Sequence, residues 1–247
     1  MAGPGLILGV FGCNADVPAY QLEVVATFPH DSAAYTQGLV YDKGRFFEST
    51  GRYGESDVRV VDGTTGRVEG LEELSEDYFG EGLAKVGNRL IQLTWKEGLA
   101  FVYDAETLER TDSLRYEGEG WGLCYDGESL FMSDGSSRLL RRDPETFEVT
   151  GDIAVTRNGF SARDLNELEC VGDHIWANVY LTDKIVRIEK ATGNVVGEVD
   201  AYGLTVASGR PGDVGAVLNG IAHDAESGTF FLTGKLWPAL FQVRILD

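Results

Sequence analysis

The sequence predicts an all-β chain, a five-bladed β-propeller of four-stranded antiparallel blades, and three observations predict it. A short motif recurs five times, as Gln37-Gly38-Leu39, Glu81-Gly82-Leu83, Trp121-Gly122-Leu123, Asn166-Glu167-Leu168 and Asn219-Gly220-Ile221. Its copies stand roughly 40 to 50 residues apart, a period that marks propellers and other repeat architectures. After each motif an Asp- or Gly-containing turn leads into an apolar strand, which is a hairpin signal. A third strand then ends, in four of the units, in an acid-x-x-Thr turn.

The elements follow in order. In the first unit the motif lies in residues 35–42, and Asp42-Lys43-Gly44 turns the chain into a strand over 46–51. A third strand over 58–61 ends at Asp62 and Thr65, and a fourth begins at Arg67. The second unit repeats this with strands over 90–95 and 100–103 and the turn Asp104 to Thr107. The third has strands over 130–135 and 139–142, with Pro144 inside the turn Asp143 to Thr146. The fourth has strands over 175–180, 185–188 and 195–199, with the turn Glu189 to Thr192. An acid at the first turn position, with Thr three residues on, offers side-chain oxygens to the turn's amides.

The fifth unit has strands over 230–235 and 241–245 and lacks a fourth. Residues 20–28, Tyr-Gln-Leu-Glu-Val-Val-Ala-Thr-Phe, are expected to supply it by pairing with 241–245. That pairing closes the ring and removes an exposed sheet edge. Residues 20–247 then form one propeller domain, and 1–19 a tail or signal remnant. No helix of consequence is expected; residues 69–77 hold at most a short turn. The Gly-rich insertion over 201–217 is a candidate lid.

Composition narrows the function. The chain has 40 Asp and Glu against 21 Lys and Arg, a formal charge of −19. That field repels phosphate backbones and anionic lipid, so nucleic acid is excluded as a partner, while a neutral or cationic small substrate is compatible. A hydrophobic share of 43% supports a real core rather than wholesale disorder. No window is long and apolar enough to span a bilayer. Cys13, Cys124 and Cys170 make neither a disulfide framework nor a zinc pattern. The sequence leaves open whether Cys124 and Cys170, on neighbouring units, are bonded; as buried inner-strand residues they read as free thiols rather than as a disulfide. The apolar run 6–13 ends at Cys13 and suits an export signal or a lipid-anchor site, although the basic start of such signals is missing.

In a propeller the innermost strands line the central channel, so the first motif residues converge at one mouth: Gln37, Glu81, Trp121, Asn166 and Asn219. A second set at strand ends, Gly51, Trp95, Gly135, Tyr180 and Lys235, is expected on the same face. Unlike polar and aromatic groups at equivalent places are what a binding pocket on a repeat requires. Each also has a plainer reading: a solvated channel carboxylate for Glu81, core packing for Trp121, an Asx turn for Asn166, a surface charge for Lys235. Trp176 aligns with Phe131 and reads as core. His30, His174 and His223 share no spacing and read as no ligand set. No phosphate loop, nucleophile elbow or His-Glu metal pair is visible.

At these residues the chain resembles the plant- and bacterial-type glutaminyl-peptide cyclotransferases, over roughly residues 23–245. The carriers are Tyr-Thr-Gln-Gly-Leu at 35–39, Phe-Glu-Ser-Thr-Gly at 47–51, Phe-Gly-Glu-Gly-Leu at 79–83 and Leu-Thr-Trp-Lys at 93–96. Further on are Gly-Glu-Gly-Trp-Gly-Leu at 118–123, Leu-Asn-Glu-Leu-Glu at 165–169, Ile-Trp-Ala-Asn at 175–178, Leu-Asn-Gly-Ile-Ala at 218–222 and Leu-Thr-Gly-Lys-Leu-Trp-Pro at 232–238. The resemblance implies a five-bladed propeller that cyclises an N-terminal glutamine to pyroglutamate, releasing ammonia without a metal or other cofactor. It implies Glu81 as the acid, with Gln37, Asn166 and Lys235 around the reacting carbonyl. Trp95, Trp121 and Trp176 would enclose the substrate, with Tyr35 and Phe79 beside them. Tyr35 stands where the family more often has Phe. The partners implied are peptides or proteins beginning with glutamine; a monomer, exported, is expected.

Two other readings compete. A non-catalytic propeller would use the same mouth to bind a peptide or sugar. A calcium-dependent lactonase-like propeller would draw oxygen ligands from Glu48, Glu81, Asn166 and Asn219, though Trp121 and Lys235 would crowd a cation.

Overall fold

The structure, a computed structural model, describes residues 16–246; Cys13 and the run before it lie outside them. The chain is all-β, with one short helix. It begins with β1 (Ala19–Pro29). The first unit is β2 (Thr36–Asp42), β3 (Arg45–Thr50), β4 (Asp57–Asp62) and β5 (Val68–Glu73). The second is β6 (Gly80–Val86), β7 (Arg89–Thr94), β8 (Leu99–Asp104) and β9 (Arg110–Arg115). The third is β10 (Leu123–Tyr125), β11 (Leu130–Met132), β12 (Arg138–Arg142) and β13 (Val149–Ala154). A two-residue hairpin, β14 (Thr156–Arg157) and β15 (Phe160–Ser161), leads to the fourth unit. That unit is β16 (Leu165–Val171), β17 (His174–Val179), β18 (Lys184–Glu189) and β19 (Val195–Asp200). After α1 (Tyr202–Ala207) the chain ends with β20 (Leu218–Asp224), β21 (Thr229–Gly234) and β22 (Ala239–Leu246).

The first three units are separate four-stranded antiparallel sheets, each in chain order. Apart from the β14–β15 hairpin, the rest is an eight-stranded sheet, β16-β17-β18-β19-β1-β22-β21-β20. Its middle seam is thin, because β1 meets β19 in parallel only at Ala19 and Tyr20. Against β22, β1 pairs antiparallel from Gln21 opposite Leu246 to Pro29 opposite Ala239. The expected closure of residues 20–28 on 241–245 is therefore present, with a bulge between Val24 and Ala26. The N-terminal strand completes a fifth four-stranded set, and the edge that β22 would otherwise expose is covered.

The first strands of the five sets neighbour one another in a cycle: β2 with β6, β6 with β10, β10 with β16, β16 with β20, and β20 with β2. Five apolar clusters fill the gaps between consecutive sets. Phe47 and Val58 pack with Leu83 and Phe101; Ile91 and Leu93 with Leu123 and Leu130; Phe131 and Leu139 with Ile175 and Ile188. Trp176 and Ile185 pack with Leu218 and Leu232, and Phe231 with Leu39 and Phe46. Strand alternation does this: one face of each sheet meets the set before it and the other the set after.

The centre is close-packed. A Cβ on Gly122 would overlap the carbonyl oxygen of Asn166, and one on Gly38 the backbone nitrogen of Leu83. In the fourth set the same motif place holds Glu167, fully buried. Its Oε1 accepts from Leu39 N–H (3.3 Å) and its Oε2 from Ile221 N–H (2.8 Å), joining β16 to β2 and β20. The acid-x-x-Thr turns form as read: Asp62, Asp104 and Asp143 each accept the amide of the Thr three residues on, at 2.7, 3.0 and 2.8 Å.

One expectation is corrected. Cys124 and Cys170 are not free thiols; they form a disulfide between β10 and β16. These strands lie side by side at the centre, which brings the two Cα atoms within 5.5 Å, a distance a disulfide spans. Within the segment 201–217, Tyr202–Ala207 forms α1, burying Leu204 and Thr205.

Candidate active site

Each pocket residue sits at or beside the end of a strand. Gln37, Glu81 and Asn166 lie near the starts of β2, β6 and β16, and Tyr35, Phe79 and Trp121 just before β2, β6 and β10. Trp95, Tyr180 and Lys235 lie just past the ends of β7, β17 and β21. Antiparallel strands put the start of a first strand beside the end of the second, so the two sequence columns meet. Together these nine side chains line one cavity of about 240 Å³.

Glu81 is the acid of the pocket, with 5% of its surface exposed. Gln37 Nε2 donates to its Oε1 at 3.1 Å, and Asn219 Nδ2 donates in turn to Gln37 Oε1 at 3.4 Å and to Thr36 O at 3.0 Å. Asn219 therefore stands behind Gln37 and does not line the cavity. Among the described residues Glu81 Oε2 takes no hydrogen bond. Burial pushes the Glu81 carboxyl well above the ordinary carboxylate range; Lys235 opposes this, and Glu119 and Glu97 add to it.

Lys235 is buried, and its ammonium forms no ion pair or hydrogen bond among the described residues. It lies 4.8 Å from the centre of the Tyr35 ring and 5.2 Å from that of Tyr180. Burial pushes its pKa down to about 8, against the pull of Glu81. Cation–ring attraction partly replaces the lost hydration. Asn166 Oδ1 is buried with no hydrogen-bond partner among the described residues. An orphaned acceptor in a pocket wall is costly unless a ligand donates to it.

Aromatic rings make the rest of the wall. Phe79 meets Tyr35 edge-on at 6.3 Å and Trp95 at 5.6 Å, and Trp121 meets Tyr180 edge-on at 5.5 Å. This leaves a slot with apolar sides, an acid at one place and an ammonium at another. Such a slot holds a short side chain and a small cationic group, which matches the −19 charge.

Eight of the nine residues expected at the site line the cavity: Gln37, Glu81, Asn166, Lys235, Tyr35, Phe79, Trp95 and Trp121. Trp176 does not. It points into the cluster between the fourth and fifth sets, 5.1 Å from the Phe230 ring and 6.1 Å from Tyr20. It lies within β17, before the strand end that carries Tyr180, and its ring packs against the neighbouring sheet. Tyr180, four residues on, is the ring that reaches the pocket; its place in the strand-end column was the signal for it. Glu48, the oxygen ligand in the calcium reading, is already held by Thr36 Oγ1 at 2.7 Å and His30 Nε2 at 3.0 Å.

Comparison with known proteins agrees with this geometry. The sequence model of the family described as "Glutamine cyclotransferase" matches residues 9–245. A glutaminyl-peptide cyclotransferase of Arabidopsis thaliana is 46% identical over 228 residues, covering 91% of this chain and 71% of the relative. The crystal structure of Myxococcus xanthus glutaminyl cyclase superposes with a TM-score of 0.88 at 41% identity, covering 94% of this chain and all of that one. The chain belongs to the glutamine cyclotransferase family.

Proposed function

We propose that this chain converts the N-terminal glutamine of peptides to pyroglutamate in the cavity between Glu81 and Lys235, with Glu81 as proton shuttle. The observation that carries the reading is the pairing in one slot of a buried, Gln37-held carboxyl with a buried ammonium. The substrate α-ammonium, with a pKa of about 8, loses one proton to water, and the neutral amine gives a second to Glu81 as it attacks. Its nitrogen attacks the side-chain carbonyl carbon, a C–N bond forms, and the oxygen takes the negative charge. Lys235 and the carboxamide of Asn166 or Gln37 stabilise that oxygen. Glu81 then returns the proton to the amide nitrogen, its C–N bond breaks, and ammonia leaves beside the new lactam. The desolvation that raises the carboxyl's proton affinity suits it to both transfers.

Both reacting groups belong to one residue, so the aromatic walls serve mainly to hold the folded-back conformer. The slot takes one side chain, and the rest of the peptide stays outside. As written, the chemistry needs no metal, so turnover persists in a strong chelator. The cycle of first strands and five intersheet clusters supports a five-bladed propeller formed by residues 20–247. The Cys124–Cys170 disulfide supports an exported chain working in an oxidising compartment, and a monomer suffices for a pocket built from one chain. The test is mass spectrometry of a Gln-initiated peptide incubated with wild type and Glu81→Gln. Loss of one ammonia with the first and not the second is expected; equal conversion would overturn the shuttle.

A further inference from the structure

We propose that Glu119 is a positioning residue, a carboxylate that sets the spacing of two pocket indoles by binding both N–H groups at once. This rests on reading the cavity as the glutamine site. Glu119 Oε2 accepts from Trp95 Nε1 at 2.8 Å and from Trp121 Nε1 at 3.0 Å. An indole has one donor and no acceptor, and one carboxylate oxygen has lone pairs for two donors. Bonds to an ionised acceptor are roughly twice as strong as neutral ones. The two rings come from different sets of the ring, and this shared oxygen ties them directly.

The surroundings fix Glu119 in turn. Gly120 N–H donates to Trp95 O at 2.9 Å, Tyr116 N–H to Gly98 O at 2.9 Å, and the Tyr116 hydroxyl to Thr94 O. The segment carrying Glu119 is thus docked on the strand end carrying Trp95. Glu119 Oε1 faces Lys96 Nζ at 3.8 Å, and that ammonium lies 3.5 Å from the centre of the Trp95 ring. Trp95 is therefore held at its N–H by Glu119 and at its face by Lys96. With its N–H tied, neither ring can turn about its χ angles without breaking a charge-assisted bond. The separation of the walls that grip the glutamine side chain follows from one carboxylate.

The Glu119 side chain is 41% exposed, so its removal is compatible with folding. The test compares Glu119→Ala and Glu119→Gln in two measurements: near-ultraviolet circular dichroism without substrate, and steady-state kinetics on a Gln dipeptide. Loss of the clamp in Glu119→Ala changes the indole signal and raises KM roughly 10- to 100-fold, about the worth of one hydrogen bond to a charged group, with kcat far less affected. Glu119→Gln keeps a carbonyl oxygen and returns both readouts to near wild type. An Ala variant with KM within about threefold of wild type and an unchanged indole signal overturns the proposal, as does a Gln variant that falls as far as Ala. The spectrum is read without substrate, so it judges the clamp even if the pocket is not the glutamine site. Absence of cyclisation by wild type would instead sink the pocket reading.

Discussion

Gln37 Nε2 donates to Glu81 Oε1 at 3.1 Å although the two lie 44 residues apart in sequence. The bond turns one carboxylate oxygen toward the strand behind and leaves the other for a ligand. Glu81→Gln keeps the shape and removes the proton acceptor, so turnover of Gln-peptides falls about 10²- to 10⁴-fold, the span of a lost general acid–base. Gln37→Ala loosens the carboxylate without removing it, and costs about tenfold, the worth of one hydrogen bond to a charged group. Ammonia release measures both, and a Glu81→Gln enzyme of wild-type rate would end this mechanism.

The pH profile follows from the same pair. Glu81 must be ionised to take the amine's proton, so kcat/KM rises as pH passes through its elevated pKa. Lys235 must be protonated to stabilise the oxyanion, and it loses its proton at about 8. The profile is a bell whose falling limb lies near there. Lys235→Arg keeps a charge far above that range and moves the falling limb upward, at reduced kcat from altered geometry. A falling limb that does not move separates Lys235 from the acid side of the profile.

Repeat spacing made most of this legible in the sequence. The places of Gln37, Glu81, Trp121 and Asn166 at one mouth followed from the motif column, and Trp95 and Lys235 from the strand ends. Spacing also read Trp176 as core, through its alignment with Phe131, and the structure packs it between the fourth and fifth sets; the family resemblance alone put it at the substrate. The disulfide was not legible in this way. It depends on the relative stagger of β10 and β16, which no local pattern encodes. Helix α1 is too short for a periodic signal.

The disulfide makes its own prediction. Cys124 and Cys170 are 46 residues apart in sequence and join strands whose neighbours Trp121 and Asn166 line the cavity. Closing a loop of that size stabilises the fold by about 4 kcal/mol in the chain-entropy picture. The double variant Cys124→Ala, Cys170→Ala should therefore unfold at clearly lower urea concentration. The backbone stitches at the centre remain, so turnover at low temperature should change only a few-fold. Equal urea midpoints for wild type and variant would show that the bond adds nothing to the folded state.

Asn166 tests the oxyanion side. Its carboxamide makes no hydrogen bond within the described chain, and its Oδ1 is buried, so removing it strands no protein partner. Asn166→Ala should leave stability near wild type and lower kcat by roughly 10²-fold, as loss of a preorganised oxyanion donor does elsewhere. KM should move less, because the bond strengthens only as charge develops. A variant that raises KM with kcat intact would make Asn166 a binding residue alone.

Glu167 gives the sharpest statement about stability. It stands where the other sets have Gly, and its two oxygens accept Leu39 and Ile221 amides from separate strands. Glu167→Ala leaves both amides buried and unpaired, at a cost of about 1–3 kcal/mol each. Burial, with the nearby charge of Glu169, raises the Glu167 carboxyl well above its ordinary range against the pull of those amides. A folded-state pKa above the unfolded one means stability that is full below the unfolded value and lost as pH rises through the folded one. The gap between wild type and Glu167→Ala, read from urea unfolding, should thus be widest near pH 4, just below the unfolded value of about 4.5, and narrow toward neutrality. A gap that instead widens with pH would mean that the two amides, not burial, govern this carboxyl.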